Sequence, residues 1–242
     1  QRQMCIRDSD RRAALRHFGA AARAHPASWE LALRLQLAVL AREAWQSGRG
    51  LEPIASFSEG RTFRLVVRLR QRLAADEELQ LGLLARCERC GDQAVQSLLK
   101  LSGWRSCRCT DGKGRWAVTG PLWIGPLQMP AVLDQLLNLA GSQPETLSTA
   151  GRRLLLRLQR DCGLPVCCWS TAELASRLSL AGPPPLEELV QSLLSSGHKA
   201  CPSAVMTGQL RTDAPMAELL QQCVEHMTCL LYTSDAADEW RS

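Results

Sequence analysis

From Thr62 to Arg72 the chain alternates with the period of a half-buried strand, and no other stretch limits the available folds as much. Phe63, Leu65, Val67 and Leu69 share one face; Arg64, Val66, Arg68 and Arg70 share the other, which is strongly cationic. Such a strand belongs to a sheet, and its other strands are expected upstream. That arrangement leaves an unpaired edge and exposed apolar surface in the chain as it stands.

The 242 residues allow one large domain or two small ones, with enough apolar side chains (45%) to bury a core. A charged fraction of 22% argues against wholesale disorder, and no apolar run approaches the roughly 18 residues a membrane span requires. Eleven cysteines follow no secretory leader, so metal ligation is tested before a disulfide framework.

Both ends point away from protein. The DNA word cagcgtcagatgtgtataagagaca encodes Gln1 to Asp8 and its last base opens Ser9, while its reverse complement encodes Cys229 to Ala236. One inverted word at both ends marks a library adapter read through as coding sequence, so residues 1–9 and 229–242 are excluded from fold reasoning. The remainder, 10–228, is slightly more basic than the net +5 of the whole and is expected to be a fragment of a longer protein.

Along that remainder, Ser28 can cap a helix running from Trp29 to about Gln46. Its leucines, Leu31 and Leu35 with Leu33 and Leu37, predict packing on two sides. Apolar runs at 79–85 and 94–100 bracket Cys87, Cys90 and Gly91, and turn residues fill 103–120 around Cys107 and Cys109, so small strands around a cysteine-bearing turn are expected. After the Pro-rich segment 120–130 the pattern turns helical at 131–140, 144–162, 170–180 and 185–196. Short strands near 199–205 and 209–212 and a last helix from Ala214 follow. Helices followed by a hairpin resemble a winged-helix arrangement, with a boundary near Leu127.

Cys87-x-x-Cys90-Gly91, with Cys107-x-Cys109 sixteen residues on, offers four thiolates to one tetrahedral zinc. Reduced cysteines packed in a core, or a site that has lost its metal, would carry the same letters. Cys162, Cys167, Cys168, Cys201 and Cys223 are expected in the core, and His17, His25, His198 and His226 on the surface. Arg61, Arg64, Arg68, Arg70 and Arg72 crowd one segment, with Lys199 and Arg211 at the C-terminal hairpin. Polyanion binding explains them, and a solvated cationic face does so equally well. No glycine-rich dinucleotide loop, P-loop or Gly-x-Ser-x-Gly elbow is present.

Several segments in order resemble one family. They are Trp29-Glu30-Leu31-Ala32-Leu33-Arg34, Phe63 to Arg68, the Cys87 to Gly91 knuckle, and Gly120-Pro121-Leu122-Trp123-Ile124-Gly125-Pro126-Leu127. Leu164-Pro165, Pro185 to Leu189, Gly197 and Arg211-Thr212-Asp213-Ala214-Pro215 continue the set. Together they resemble the tRNA (guanine(26)-N(2))-dimethyltransferases, with Trp29 where that family usually has histidine. The resemblance implies an α/β fold: the C-terminal portion of a class I (Rossmann-like) methyltransferase domain over 10–127, its cysteine knuckle at 85–126, and a small α+β winged-helix-like domain over 128–228. It implies S-adenosylmethionine as methyl donor and tRNA as partner, in a cytoplasmic monomer without membrane contact. The family's cofactor loop and Asp-Pro-Phe/Tyr-Gly motif lie upstream of the segment matched by Trp29, and neither occurs in this chain. No catalytic or cofactor-binding residue is therefore assigned.

The carried-over sites are Cys87, Cys90, Cys107 and Cys109 for zinc, and Arg64, Arg68, Arg70, Lys199 and Arg211 for RNA. Two departures stand out: Pro202 and Ala204 occupy the places of a usual arginine and histidine, and the second cysteine pair is one residue too tight. A zinc-knuckle RNA- or DNA-binding module without an enzymatic parent is the alternative.

Overall fold

In the computed structural model, residues 8–225 are described apart from 60, 61, 108, 110–113, 144, 146, 162, 164 and 165. The two ends set aside above, 1–9 and 229–242, therefore lie outside the described residues, except Asp8 and Ser9, which open the first helix, α1 (Asp8–Phe18). Cys162, Leu164, Pro165 and His226 also fall outside them.

The alternating segment forms a strand, but its neighbour lies within this chain. A strand at Gly50–Glu59 (β1) pairs antiparallel with Thr62–Arg70 (β2), from Gly50 opposite Arg70 to Glu59 opposite Thr62. β1 escapes a period-two reading because a register shift between Pro53 and Ala55 breaks its alternation. A helix at Ser28–Gln46 (α2) covers the apolar face of this hairpin. Leu33, Leu37, Ala41 and Ala44 pack with Leu51, Phe63, Leu65 and Val67. The apolar face of β2 ends sooner than expected, since Leu69 is 54% exposed and Arg70 turns to Glu77 instead.

The opposite side of α2 packs on a second sheet, as its two leucine rows predict. Strands Leu81–Cys87 (β3), Gln93–Ser97 (β4) and Trp116–Trp123 (β5) form an antiparallel sheet in the order β4-β3-β5. Leu31 and Leu35 meet Leu84, Leu122 and Val166 there. The turn and Pro-rich residues expected over 116–123 thus form an edge strand of this sheet, with Gly120 and Pro121 inside it. The Gly120 backbone exchanges hydrogen bonds of 2.8 and 2.9 Å with Ala21, which ties the segment after α1 to β5.

Helices Pro130–Ser142 (α3) and Thr149–Gln159 (α4) follow. α4 starts five residues later than expected because Ser148 caps it, its hydroxyl accepting from the Gly151 N–H at 3.1 Å. Next come strand Cys168–Ser170 (β6), helices Thr171–Leu178 (α5) and Leu186–Ser195 (α6), strands Ala200–Pro202 (β7) and Gln209–Thr212 (β8), and a helix, α7, over 216–225. The three strands form an antiparallel sheet ordered β6-β8-β7. Trp169, Leu174, Leu189, Leu193, Leu210 and Leu219 make its core. Two of the strands were expected. The third, β6, is too short to show a period. Among the described residues no helix is long and apolar enough to cross a membrane.

Candidate functional site

The β3–β4 turn brings the four cysteines together. The Gly91 N–H donates to the Cys87 carbonyl at 3.0 Å, and Gly91 takes φ +81°, which a side chain would oppose. The sulfurs of Cys87, Cys90, Cys107 and Cys109 all lie within 4.8 Å of one another, and those of Cys90 and Cys107 are 3.2 Å apart. Zinc–sulfur bonds of about 2.3 Å at tetrahedral angles place sulfurs about 3.8 Å apart, so the four thiols fit that ion. The tight second pair is accommodated by Gly114: a Cβ there would sit 2.5 Å from the Cys87 sulfur and 2.9 Å from that of Cys109.

Burial raises the Cys87 thiol, but backbone N–H groups of Cys90 and Arg89 and the neighbouring thiols outweigh it and bring it down to about 7. Burial pushes Cys107 and Cys90 upward. The knuckle docks on α5, where Arg177 donates to the Arg89 carbonyl at 3.0 Å and Glu173 accepts from both Arg86 and Arg177.

The cationic residues separate into two groups. Arg64 and Arg68 are exposed on the outer face of β2, and Lys199 is exposed just before β7. Arg68 lies 3.2 Å from Glu52, and Arg70 lies 2.7 Å from Glu77, so part of this charge is already balanced. Arg211 stands apart as fully buried: its Nε donates to Glu30 at 3.2 Å and its Nη1 to Asp161 at 2.8 Å. The expectation that Arg211 binds phosphate is therefore corrected, because a guanidinium committed to two carboxylates inside the protein presents no donor to an outside anion.

Glu30 and Arg34 complete this cluster; both belong to the Trp29 to Arg34 segment that carries the resemblance, but neither was assigned a role from the sequence. Arg34, also fully buried, donates to Glu30 at 2.8 Å and to the carbonyls of Trp123 and Gly125 at 2.9 and 2.8 Å. Burial raises the Glu30 carboxyl, yet Arg211 and Arg34 outweigh it and hold it below the usual carboxylate range. Burial lowers Arg34. It also opposes the charge on Arg211, where Glu30 and Asp161 together prevail and raise the pKa. The difference follows from contacts: Arg211 touches two carboxylates and Arg34 one. The spacing Glu30 to Arg34 does signal a helical ion pair. Nothing local signals that a residue 181 positions away closes it.

His25 is half-buried and hydrogen-bonded, not the free surface residue expected. Its Nδ1 accepts from the Ala27 N–H at 3.0 Å, so the Nε2 proton faces Gln93 at 3.3 Å, and a second proton would confront the Ala27 donor. Burial, reinforced by Arg86, lowers its pKa from 6.5 to about 4. The unfolded chain therefore binds this proton first, and stability falls as pH drops from 6.5 towards 4, by up to about 3 kcal/mol. Urea midpoints measured across that window should decline in the native chain and decline less in His25→Gln; parallel declines would contradict the assignment.

Every strand ladder among the described residues is antiparallel. Among the described residues there is no βαβ crossover whose first turn could cradle a nucleotide cofactor, so they do not by themselves form an S-adenosylmethionine site.

Comparisons with known proteins agree with this architecture. A family model described as N2,N2-dimethylguanosine tRNA methyltransferase matches residues 5–224. A tRNA (guanine(26)-N(2))-dimethyltransferase of Methanocorpusculum labreanum is 30% identical over 191 residues, covering 77% of this chain and 49% of the relative. The Schizosaccharomyces pombe protein of the same description is 28% identical over 205 residues, covering 77% and 37%. The solved structure of Trm1 from Pyrococcus horikoshii with S-adenosyl-L-methionine superposes with a TM-score of 0.70 at 21% identity, over 88% of this chain and 54% of that one. The fold is therefore α/β and similar to that protein's. The chain spans about half the length, or less, of the curated relatives it matches.

Proposed function

Because the chain belongs to the N2,N2-dimethylguanosine tRNA methyltransferase family, we propose that it is the tRNA-holding portion of an S-adenosylmethionine-dependent tRNA (guanine(26)-N(2))-dimethyltransferase. The observation that carries this reading is the family match, which runs over residues 5–224 while the chain spans only about half of each archaeal relative. Residues 10–127 form the end of the catalytic domain, in which the β1–β2 hairpin extends a sheet begun upstream. Residues 128–228 form the tRNA-binding domain. The order α4-β6-α5-α6-β7-β8, with β6 pairing β8, supports a winged-helix-like description of that second part.

Zinc bound by Cys87, Cys90, Cys107 and Cys109 holds the knuckle against α5. Arg64, Arg68, Arg70 and Lys199 remain as phosphate ligands. S-adenosylmethionine supplies the methyl group in the whole protein, and this polypeptide alone transfers none, since it carries neither a glycine-rich cofactor loop nor an Asp-Pro-Phe/Tyr-Gly motif.

Two measurements test the reading. Incubated with tRNA and methyl-labelled cofactor, the chain should leave the RNA unlabelled, whereas its affinity for tRNA should fall linearly with the logarithm of salt concentration. Labelled tRNA would overturn the first expectation, and salt-independent binding the second.

A further inference from the structure

A recess of about 1520 Å³ is lined by none of the cationic residues assigned from the sequence. α2 and β1 are consecutive, packed and opposite in direction, so the first turn of α2 lies at the carboxyl end of β1. The recess opens at that end, between the start of α2, the tip of the β1–β2 hairpin, α4 and the turn joining β7 to β8.

Its chemistry is specific. Trp29 and Phe63 meet edge to face with ring centroids 6.3 Å apart, and both are only partly buried, which leaves aromatic surface facing the recess. Arg153 and Arg157, one turn apart on α4, line the same wall. The Arg157 Nε is buried without a hydrogen-bond partner. Ser58, 5% exposed, likewise lines the recess with a buried hydroxyl that has no partner. Glu59 is the only acidic residue of the lining.

We propose that this recess takes an unpaired stretch of the tRNA, with phosphates on Arg153 and Arg157 and an unstacked base against Trp29 and Phe63. Aromatic faces beside cations are how proteins hold single-stranded nucleic acid, whereas a duplex keeps its bases stacked on one another and away from such a surface. The volume exceeds the roughly 300–1,000 Å³ of small-molecule pockets, which suits a chain of nucleotides better than a metabolite. The Ser58 hydroxyl and Arg157 Nε supply donors that no other described residue uses. The assignment rests on the tRNA reading above.

The test uses the whole chain. Changing Arg153→Gln together with Arg157→Gln should weaken tRNA binding about tenfold and reduce the log–log salt slope by about one per lost contact. An oligouridylate should compete with tRNA for the native chain, and an RNA duplex of equal length should not. Arg153 is exposed, so Arg153→Gln alone folds and should still lower the slope by about one if the double variant is unstable. If the α4 changes leave affinity and slope intact while Arg64→Gln with Arg68→Gln lowers both, the recess is not the RNA site and the tRNA reading survives. A chain with native circular dichroism that binds no tRNA at any salt overturns both.

Discussion

Replacing Arg211 by alanine should destabilise the chain by about 3–5 kcal/mol, a large part of the roughly 5–15 kcal/mol by which a domain of this size is folded. Arg211 and Arg34 are balanced by Glu30 and Asp161 in a site where both arginines and Glu30 are 0% exposed and Asp161 is 6% exposed. Removing one guanidinium leaves an uncompensated carboxylate without solvent. The cost is therefore that of an orphaned buried charge, much larger than the 0–1 kcal/mol typical of an exposed ion pair.

A second readout separates charge from lost packing. In the native protein the Glu30 carboxyl is held low, so its contribution is present above the unfolded carboxylate pKa and disappears as pH falls through the folded one. In the Arg211→Ala chain the orphaned carboxylate gains from protonation. The stability gap between the two proteins should therefore narrow on acidification. Urea unfolding at neutral pH and near pH 4 measures both quantities. A cost below about 1 kcal/mol, or a gap independent of pH, would mean that Arg211 behaves as the exposed phosphate ligand expected from its sequence context.

That contrast marks what local sequence can reveal here. The leucine rows of α2 and the alternation of β2 survive in the structure because each depends on burial along a single element. The start of α2 was legible to within one residue, although Ser28 is its first residue and not its cap, which is Ala27 without a side-chain bond; the helical stretches α3 to α6 were legible within about five residues of their ends. β1 was hidden by Pro53 and its register shift, and β5 by Gly120 and Pro121, since both strands owe their conformation to neighbours and not to their own propensity. The spacing of the four cysteines placed them together as the structure does, because that spacing is a local signal. No local signal could show that Arg211 points inward, since the residues that capture it lie in α2 and after α4. Arg153 and Arg157 were not singled out from the sequence, and only the tertiary arrangement places them around one recess with Trp29 and Phe63.

Substituting Gly114→Ala should abolish zinc binding while leaving all four thiols in place. The knuckle closes over Gly114 so tightly that a methyl group there would stand 2.5 Å from the Cys87 sulfur, 2.9 Å from that of Cys109 and 3.0 Å from the Cys107 Cβ. Three ligand residues would have to shift, and a tetrahedral site tolerates little displacement at bond lengths of about 2.3 Å. The native chain should hold about one zinc per molecule by elemental analysis, whereas Gly114→Ala and Cys90→Ser should hold none. Structural zinc contributes on the order of 10 kcal/mol in small zinc-finger peptides. Here the knuckle sits at one end of β3 and β4, outside the main apolar clusters, so the loss should be local. Amide exchange should accelerate across 87–93 and at the start of β5, while β1, β2 and the interior of α2 keep their protection. Cys90 and Cys109, the two more accessible thiols, should react with thiol reagents in the metal-free protein and resist them when zinc is bound. A native chain free of zinc, with unchanged exchange in Gly114→Ala, would identify the four cysteines as reduced packing residues.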